Sequence, residues 1–171
     1  MGICVKNVFI RIGICVIFTK IDPSGLVGDI YDAIPANLSG NASRYALIRK
    51  EDNMLIGCAG LKMGKDSCSG KQDEPELGYW IGRQFWGKGY ATEAAERLLR
   101  HAFEDMNSNA VWCCYYDGNE RSKRVQEKLG FTYVRTDPQG DTLLGYTLPE
   151  IENVLRKADF DGRRGIRTAL L

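Results

Sequence analysis

Histidine occurs once in these 171 residues, as His101, and proline only five times. A nucleophile activated by histidine therefore has a single candidate base. His101 falls near the end of a helical pattern, the place of a solvated or capping residue. The six cysteines include no C-x-x-C pair, so zinc-binding spacing is missing and no metal is expected. Cys4, Cys15, Cys58, Cys68, Cys113 and Cys114 sit mostly in apolar runs and read as buried free thiols of a reducing, cytoplasmic compartment. Cys113 or Cys114 as an acyl-carrying nucleophile is the other reading of that pair. Long apolar runs are missing too: residues 8–18 are too short to span a bilayer, carry Arg11 and lack a cleavage signal, so they read as a first strand. Charge of one sign is also missing, with 23 basic against 22 acidic residues. No global field draws the chain to nucleic acid or to a membrane. No internal repeat or low-complexity segment occurs.

What is present is concentrated between Glu76 and Phe103. Leu77-Gly78-Tyr79-Trp80-Ile81 has the apolar and aromatic mix of a buried strand, ended by Gly82. Ala91, Ala94, Ala95, Leu98, Leu99, Ala102 and Phe103 recur at helical spacing, with Glu93, Glu96, Arg97 and Arg100 on the opposite face. Between strand and helix stands Gln84-Phe85-Trp86-Gly87-Lys88-Gly89. Two glycines ahead of a helix N-terminus let backbone N–H groups approach an anion, and Arg83 and Lys88 add positive charge, so a diphosphate suits the turn. An ordinary strand-to-helix turn, with glycines serving only positive φ, is the competing reading. Gly82, Gly87 and Lys88 approach a nucleotide P-loop, but Gly89 stands where Ser or Thr would hold magnesium. A dinucleotide fold would want a third Gly or Ala where Thr92 stands.

Around this stretch, residues 45–50 and 54–61 read as a hairpin over Glu51-Asp52-Asn53. Residues 62–75 form a polar loop ending in Asp73, Glu74 and then Glu76, an acidic patch that suits a cationic amine or is a solvated tip. Residues 111–116 read as a second buried strand, giving a right-handed βαβ crossover with parallel strands. Asn119 caps a helix over 120–129 that stops at Gly130. Residues 131–135 and 142–148 read as a hairpin over Asp137-Pro138-Gln139-Gly140. Residues 149–171 read as a tail in which Pro149 starts a helix carrying Ile151, Val154 and Leu155. Residues 22–43 offer one short helix at 30–34. The whole, 1–171, reads as a single domain of ordinary size.

Gln84-x-x-Gly87-x-Gly89 resembles the (Q/R)-x-x-G-x-(G/A) acyl-CoA motif of the GCN5-related N-acetyltransferases (GNAT). Glu76-Leu77-Gly78-Tyr79-Trp80, Asn119-Glu120-Arg121-Ser122 and Lys128-Leu129-Gly130-Phe131 are similar to the branch holding the Rim-type acetyltransferases of ribosomal-protein N-termini. The order and spacing of these pieces, over residues 45–148, make the resemblance more specific than any one motif.

The resemblance implies an α/β (mixed α+β) acyl-CoA N-acyltransferase fold, a mostly antiparallel twisted sheet with one parallel βαβ crossover at the cofactor site. It implies acetyl-CoA as cofactor, held by Ile81, Gln84, Phe85, Trp86, Gly87, Lys88, Gly89, Tyr90 and Ala91 with Asn119 and Ser122. It implies transfer of an acetyl group to a primary amine of a protein N-terminus, a lysine or a small molecule, by a monomer or homodimer. Glu76 stands where the family often has a carboxylate that deprotonates the amine, directly or through water. An edge carboxylate facing water is the alternative. Many relatives carry a tyrosine where this chain has Gln126, whereas Ser122 matches the Rim-type serine that assists the leaving thiolate. Asn119 and Ser122 are equally the cap and third residue of a helix. A catalytically silent acyl-CoA-binding or interaction module is the alternative to an enzyme.

Overall fold

The computed structural model describes residues 8–9, 14–17, 43–49, 51–142 and 146–162. The chain forms two compact units, one of residues 1–61 and 78–98, the other of residues 62–77 and 99–171. It passes between them inside two strands and one helix.

In the first unit β1 (Val8–Phe9), β2 (Ile14–Ile17), β3 (Ser43–Arg49), β4 (Met54–Lys62) and the end of β5 (Glu76–Ile81) follow one another in sheet order. The apolar run expected as one strand is a pair of short antiparallel strands, with Val8 opposite Val16 and Phe9 opposite Cys15. A run of that length exceeds the usual five or six residues of a strand and pairs with itself. The short helix expected at 30–34 lies outside the described residues. The hairpin of β3 and β4 forms as expected, and Asn53 turns it at φ +57°, a left-handed conformation that asparagine tolerates. At Gly57 a Cβ would lie 2.1 Å from the Trp80 carbonyl oxygen, so only glycine lets β4 and β5 approach there. Helix α1 (Tyr90–Arg100) buries Ala94, Ala95 and Leu98, on the face that its apolar spacing marks.

In the second unit the start of β5 pairs in parallel with β6 (Ala110–Tyr116), Glu76 opposite Trp112. Strand β8 (Thr147–Arg156) runs antiparallel between β6 and β7 (Thr132–Asp141). Among the described residues the fold is the expected mixed α/β architecture, mostly antiparallel with one parallel pair. After Arg100 the helix widens into a π-type turn, His101–Asp105, where His101 Nδ1 lies 2.8 Å from Asp105 Oδ2. Lys157 Nζ donates to the Phe103 carbonyl at 3.0 Å and caps that turn. Helix α2 (Glu120–Leu129) starts and stops where the sequence says. Asn119 accepts the Ser122 N–H, and Gly130 ends the helix at φ +83°.

The C-terminal expectations are corrected. The segment from Pro149 is not a tail helix but part of β8, followed by a helical turn over 157–162. Residues 152–155 of β8 are all buried, because β8 is a central strand, and it lacks the polar alternation that marks a strand with one wet face. Ile151, Val154 and Leu155 then imitate helical spacing by accident. Pro149 has no N–H to give, and its carbonyl accepts the Asp117 N–H at 2.8 Å. Residues 137–140 are likewise no turn. They lie inside β7, with a register shift between Asp137 and Gly140 that accommodates Pro138. The reversal comes later, where Thr142 Oγ1 donates to the Tyr146 carbonyl at 2.6 Å.

Candidate active site

The glycine turn belongs to the first unit. Gly82 N–H donates to the Ile56 carbonyl at 2.8 Å, which pins the end of β5 to β4, and a single helical turn, Arg83–Phe85, follows. Phe85 points inward, 6% exposed, while Gln84, Gly87, Lys88 and Gly89 are exposed. Trp86 is 42% exposed and its Nε1 donates to the Ile81 carbonyl at 2.7 Å, so its indole is a strut across the turn. Gly87 and Gly89 stand at φ +77° and +84°, and a Cβ on either would meet no atom within 4 Å. The conformation demands glycine, and the space in front of it is open. The first helical bond runs from Glu93 N–H to the Gly89 carbonyl, 3.0 Å. The N–H groups of Tyr90, Ala91 and Thr92 therefore have no acceptor within the helix, the usual condition of a first turn.

Arg49 completes this unit's site, and no motif marked it. Its guanidinium bonds both oxygens of Asp52 and lies 5.2 Å from the centre of the Phe85 ring. Its hydrogen bonds to Asp52 and then to the Tyr90 hydroxyl hold its pKa above the ordinary arginine range. The β3–β4 hairpin, the buried Phe85 and the first residue of α1 thus share one fixed cation.

Glu76 and the α2 cap belong to the second unit. Glu76 is only 8% exposed, so it is not an edge carboxylate facing water. Its Oε1 accepts from Lys62 Nζ at 2.9 Å and its Oε2 from the Cys68 N–H at 2.9 Å. Burial works against the Lys62 charge, but the Glu76 carboxylate outweighs it and holds the ammonium above its usual range. The acidic patch is largely spoken for. Glu74 accepts from Lys71 Nζ and Trp112 Nε1, each at 2.7 Å, and despite burial these bonds hold it below the usual carboxylate range. Cys114 lies with its sulfur 3.2 Å from that of Cys68. That contact and burial push the Cys114 thiol far up, so it stays protonated and is a poor nucleophile.

Asn119 and Ser122 are brought together as cap and third residue, Ser122 N–H to Asn119 Oδ1 at 3.2 Å. Gln126 is 1% exposed. Its Nε2 donates to the Cys114 carbonyl at 3.2 Å and to Ser122 Oγ at 3.3 Å, and its Oε1 accepts from Asn153 Nδ2 at 2.7 Å. It is a hub joining β6, α2 and β8, which no spacing rule reveals because Cys114 and Asn153 are distant in sequence.

The comparisons with known proteins agree with this geometry. Residues 27–132, more than half of the chain, match the family model described as "Acetyltransferase (GNAT) domain". YdaF of Bacillus subtilis (strain 168), provisionally named a ribosomal N-acetyltransferase, is 46% identical over 56 residues, 33% of this chain and 31% of that one. The uncharacterized N-acetyltransferase p20 of Bacillus licheniformis is 35% identical over 95 residues, 56% of this chain and 51% of that one. The matched stretches thus span about a third and about a half of these relatives. A crystal structure of a probable acetyltransferase superposes with a TM-score of 0.61 at 30% identity, over 70% of this chain and 64% of that one. With the glycine turn, the capped α2 and the parallel strand pair in place, this chain belongs to the GNAT acetyltransferase family.

Proposed function

We propose that this protein moves an acetyl group from acetyl-CoA to a primary amine. The observation that carries the reading is the turn at Gly87 and Gly89, left-handed at both glycines and open where a Cβ would project, at the start of α1. A diphosphate suits that cradle through the Tyr90, Ala91 and Thr92 N–H groups that have no acceptor in the helix, the helix dipole and the positive charge of Lys88. Ile81, Gln84, Phe85, Trp86, Tyr90 and Ala91 of the same unit would frame it. Acetyl-CoA, when bound, supplies the acyl group as a thioester.

The chain's own residues then manage protons. An acceptor amine, with a pKa near ~10.4 for a lysine-like amine or ~8 for an α-amine, arrives protonated at neutral pH. Glu76 takes that proton, directly or through water, from a buried position fixed by Lys62 and the Cys68 N–H. Each carboxylate oxygen keeps a second lone pair for the task. Ser122 gives a hydrogen bond to the departing thiolate, and its hydroxyl is a better donor for accepting one from Gln126. The acceptor is an amine of a protein N-terminus or a small molecule. The segment Glu76–Trp80 and the provisional name of YdaF support the former.

A silent acyl-CoA binder is the second reading, favoured by one observation: both Glu76 oxygens already accept hydrogen bonds. Two measurements decide. Acetyl-CoA at ~100 times its dissociation constant should add roughly 2.7 kcal/mol of stability, seen as a raised melting temperature, while ATP with magnesium adds much less. Thiol release should then follow on mixing with a panel of amines. Stabilisation without thiol release would establish the silent module, and stabilisation by ATP alone would remove both readings.

A further inference from the structure

Cys68 Sγ, Cys114 Sγ and a Glu76 carboxylate oxygen all lie within 4.8 Å of one another in the second unit. We propose that these three side chains form a binding site for a thiophilic divalent cation, zinc being the natural probe. Spacing rules could not see it, since the ligands come from the loop before β5, from β5 itself and from β6.

Distances favour a metal over a disulfide. The two sulfurs are 3.2 Å apart. Two thiolates on a tetrahedral zinc, with bonds of about 2.3 Å, stand about 3.8 Å apart, whereas a disulfide requires about 2.05 Å. Opening the pair by about half an ångström is a smaller change than closing it by more than one. Two thiolates and a carboxylate are a donor set suited to zinc, with one position left for water or an amine.

Charge favours it as well. Glu76 and Glu150 bear on the Cys114 thiol against Lys62 and Arg135, and Arg135 is already committed to Glu152 at 2.8 Å. That leaves Lys62 facing both Glu76 and Glu150. The Lys62 side chain is 40% exposed and can swing into solvent, so a cation would replace the ammonium as counter-charge. Cys68 is held ready by its own backbone: its N–H donates to Glu76 and its carbonyl accepts from Arg135 Nη2 at 3.4 Å. Binding balances as one divalent ion taken up, two metal–sulfur bonds formed and one proton released from each thiol.

The consequence for catalysis rests on the acetyl-transfer reading, because an ion on Glu76 would occupy the base. The binding itself does not rest on it. The test is titration of the reduced, full-length protein with cobalt(II) under anaerobic conditions. One equivalent should give the intense visible absorption of tetrahedral cobalt with a near-ultraviolet thiolate charge-transfer band, bleached by zinc. Cys68→Ser and Cys114→Ser, each checked for folding by circular dichroism, should lose the charge-transfer intensity, and Cys58→Ser should keep it. If both variants at Cys68 and Cys114 keep the spectrum, the site is elsewhere and the proposal fails. It fails equally if the reduced protein binds neither metal, or if it does so only after mild oxidation has joined Cys68 to Cys114. Zinc inhibition of thiol release, reversed by a chelator, would add the link to catalysis. Its absence with cobalt bound would overturn that link and leave the site standing.

Discussion

The glycine turn and the Glu76 cluster solve opposite problems. In the first unit the work is done by backbone: positive φ at Gly87 and Gly89, N–H groups at the start of α1, and a surface left open. In the second unit it is done by side chains: Glu76, Gln126, Glu152 and Asn153 are all less than a tenth exposed, and each is held by a partner distant in sequence. A backbone site needs local residues in fixed order, so it leaves a motif. A buried polar cluster needs only that each group find a partner after folding, and many sequences can supply that. The turn is built to receive something; the cluster is built to hold a carboxylate still.

The largest expected effect breaks the comparison at its chemical end. Glu76→Gln keeps the shape of the side chain. It should lower the acetyl-transfer rate by about two to four orders of magnitude, the range of general base catalysis, with CoA affinity nearly unchanged. The loss should shrink as pH rises toward the acceptor's own pKa, where the amine needs less help. Steady-state thiol release from pH 6 to 10 reads both. Equal rates for the two proteins throughout would take Glu76 out of the mechanism.

Gly87→Asp and Gly89→Asp test the other side. Each adds a carboxylate at the proposed diphosphate position, and like charges about 4 Å apart cost roughly 1–4 kcal/mol, or ~5- to 1000-fold in CoA affinity. Strain at positive φ costs about 1–2 kcal/mol of stability, yet no neighbour is struck. The variants should fold and fail to bind, by calorimetric titration. Collapse of the fold without ligand would show that the glycines serve packing alone.

Gln126→Leu comes next. It fills the same space but leaves the buried Asn153 Nδ2 without its acceptor, at a cost of about 1–3 kcal/mol in urea unfolding. An unchanged midpoint would mean that the hub can be satisfied by water.

How much could be read beforehand follows the same division. The strand–turn–helix from Glu76, the Asn119 cap and the Gly130 stop were legible because each depends on neighbours in sequence. Strand β8 was not, because a strand between two others loses its alternation, and Ile151, Val154 and Leu155 then suggest a helix. Pro138 suggested a turn because the bulge that houses it is set by pairing with β8, not by local preference. Glu76 was legible as a candidate only through family resemblance. Its partners Lys62 and Cys68 were not, since only the fold brings them to it, and Arg49 beside the glycine turn was hidden for the same reason.

The smallest expected effect is one of sign, and it separates the two units by acid. Burial and then the charge of Glu76 raise the Glu150 pKa in the second unit. The folded protein therefore binds a proton there more readily than the unfolded chain, whose glutamate titrates near ~4.3. As pH climbs from that value through the raised folded one, stability falls, and above it the penalty stays constant. Glu150→Gln should remove this cost, so that the variant gains relative to the parent at neutral pH. The gain should be only ~0.5 kcal/mol or less, since much of the group is in water. In the first unit the sign reverses. The hydrogen bond from Arg49 lowers the Asp52 pKa against a smaller opposing effect of burial. Its contribution is present above the unfolded value near ~3.9 and is lost as pH falls through the depressed folded value. Asp52→Asn should therefore lose stability at neutral pH and converge with the parent in acid. Melting temperatures of the parent and both variants from pH 3 to 8 read the two slopes together. Parallel curves for the two variants would mean that the carboxylates of β8 and of the hairpin are equally solvated, and the contrast between an open backbone site and a crowded side-chain site would lose its electrostatic half.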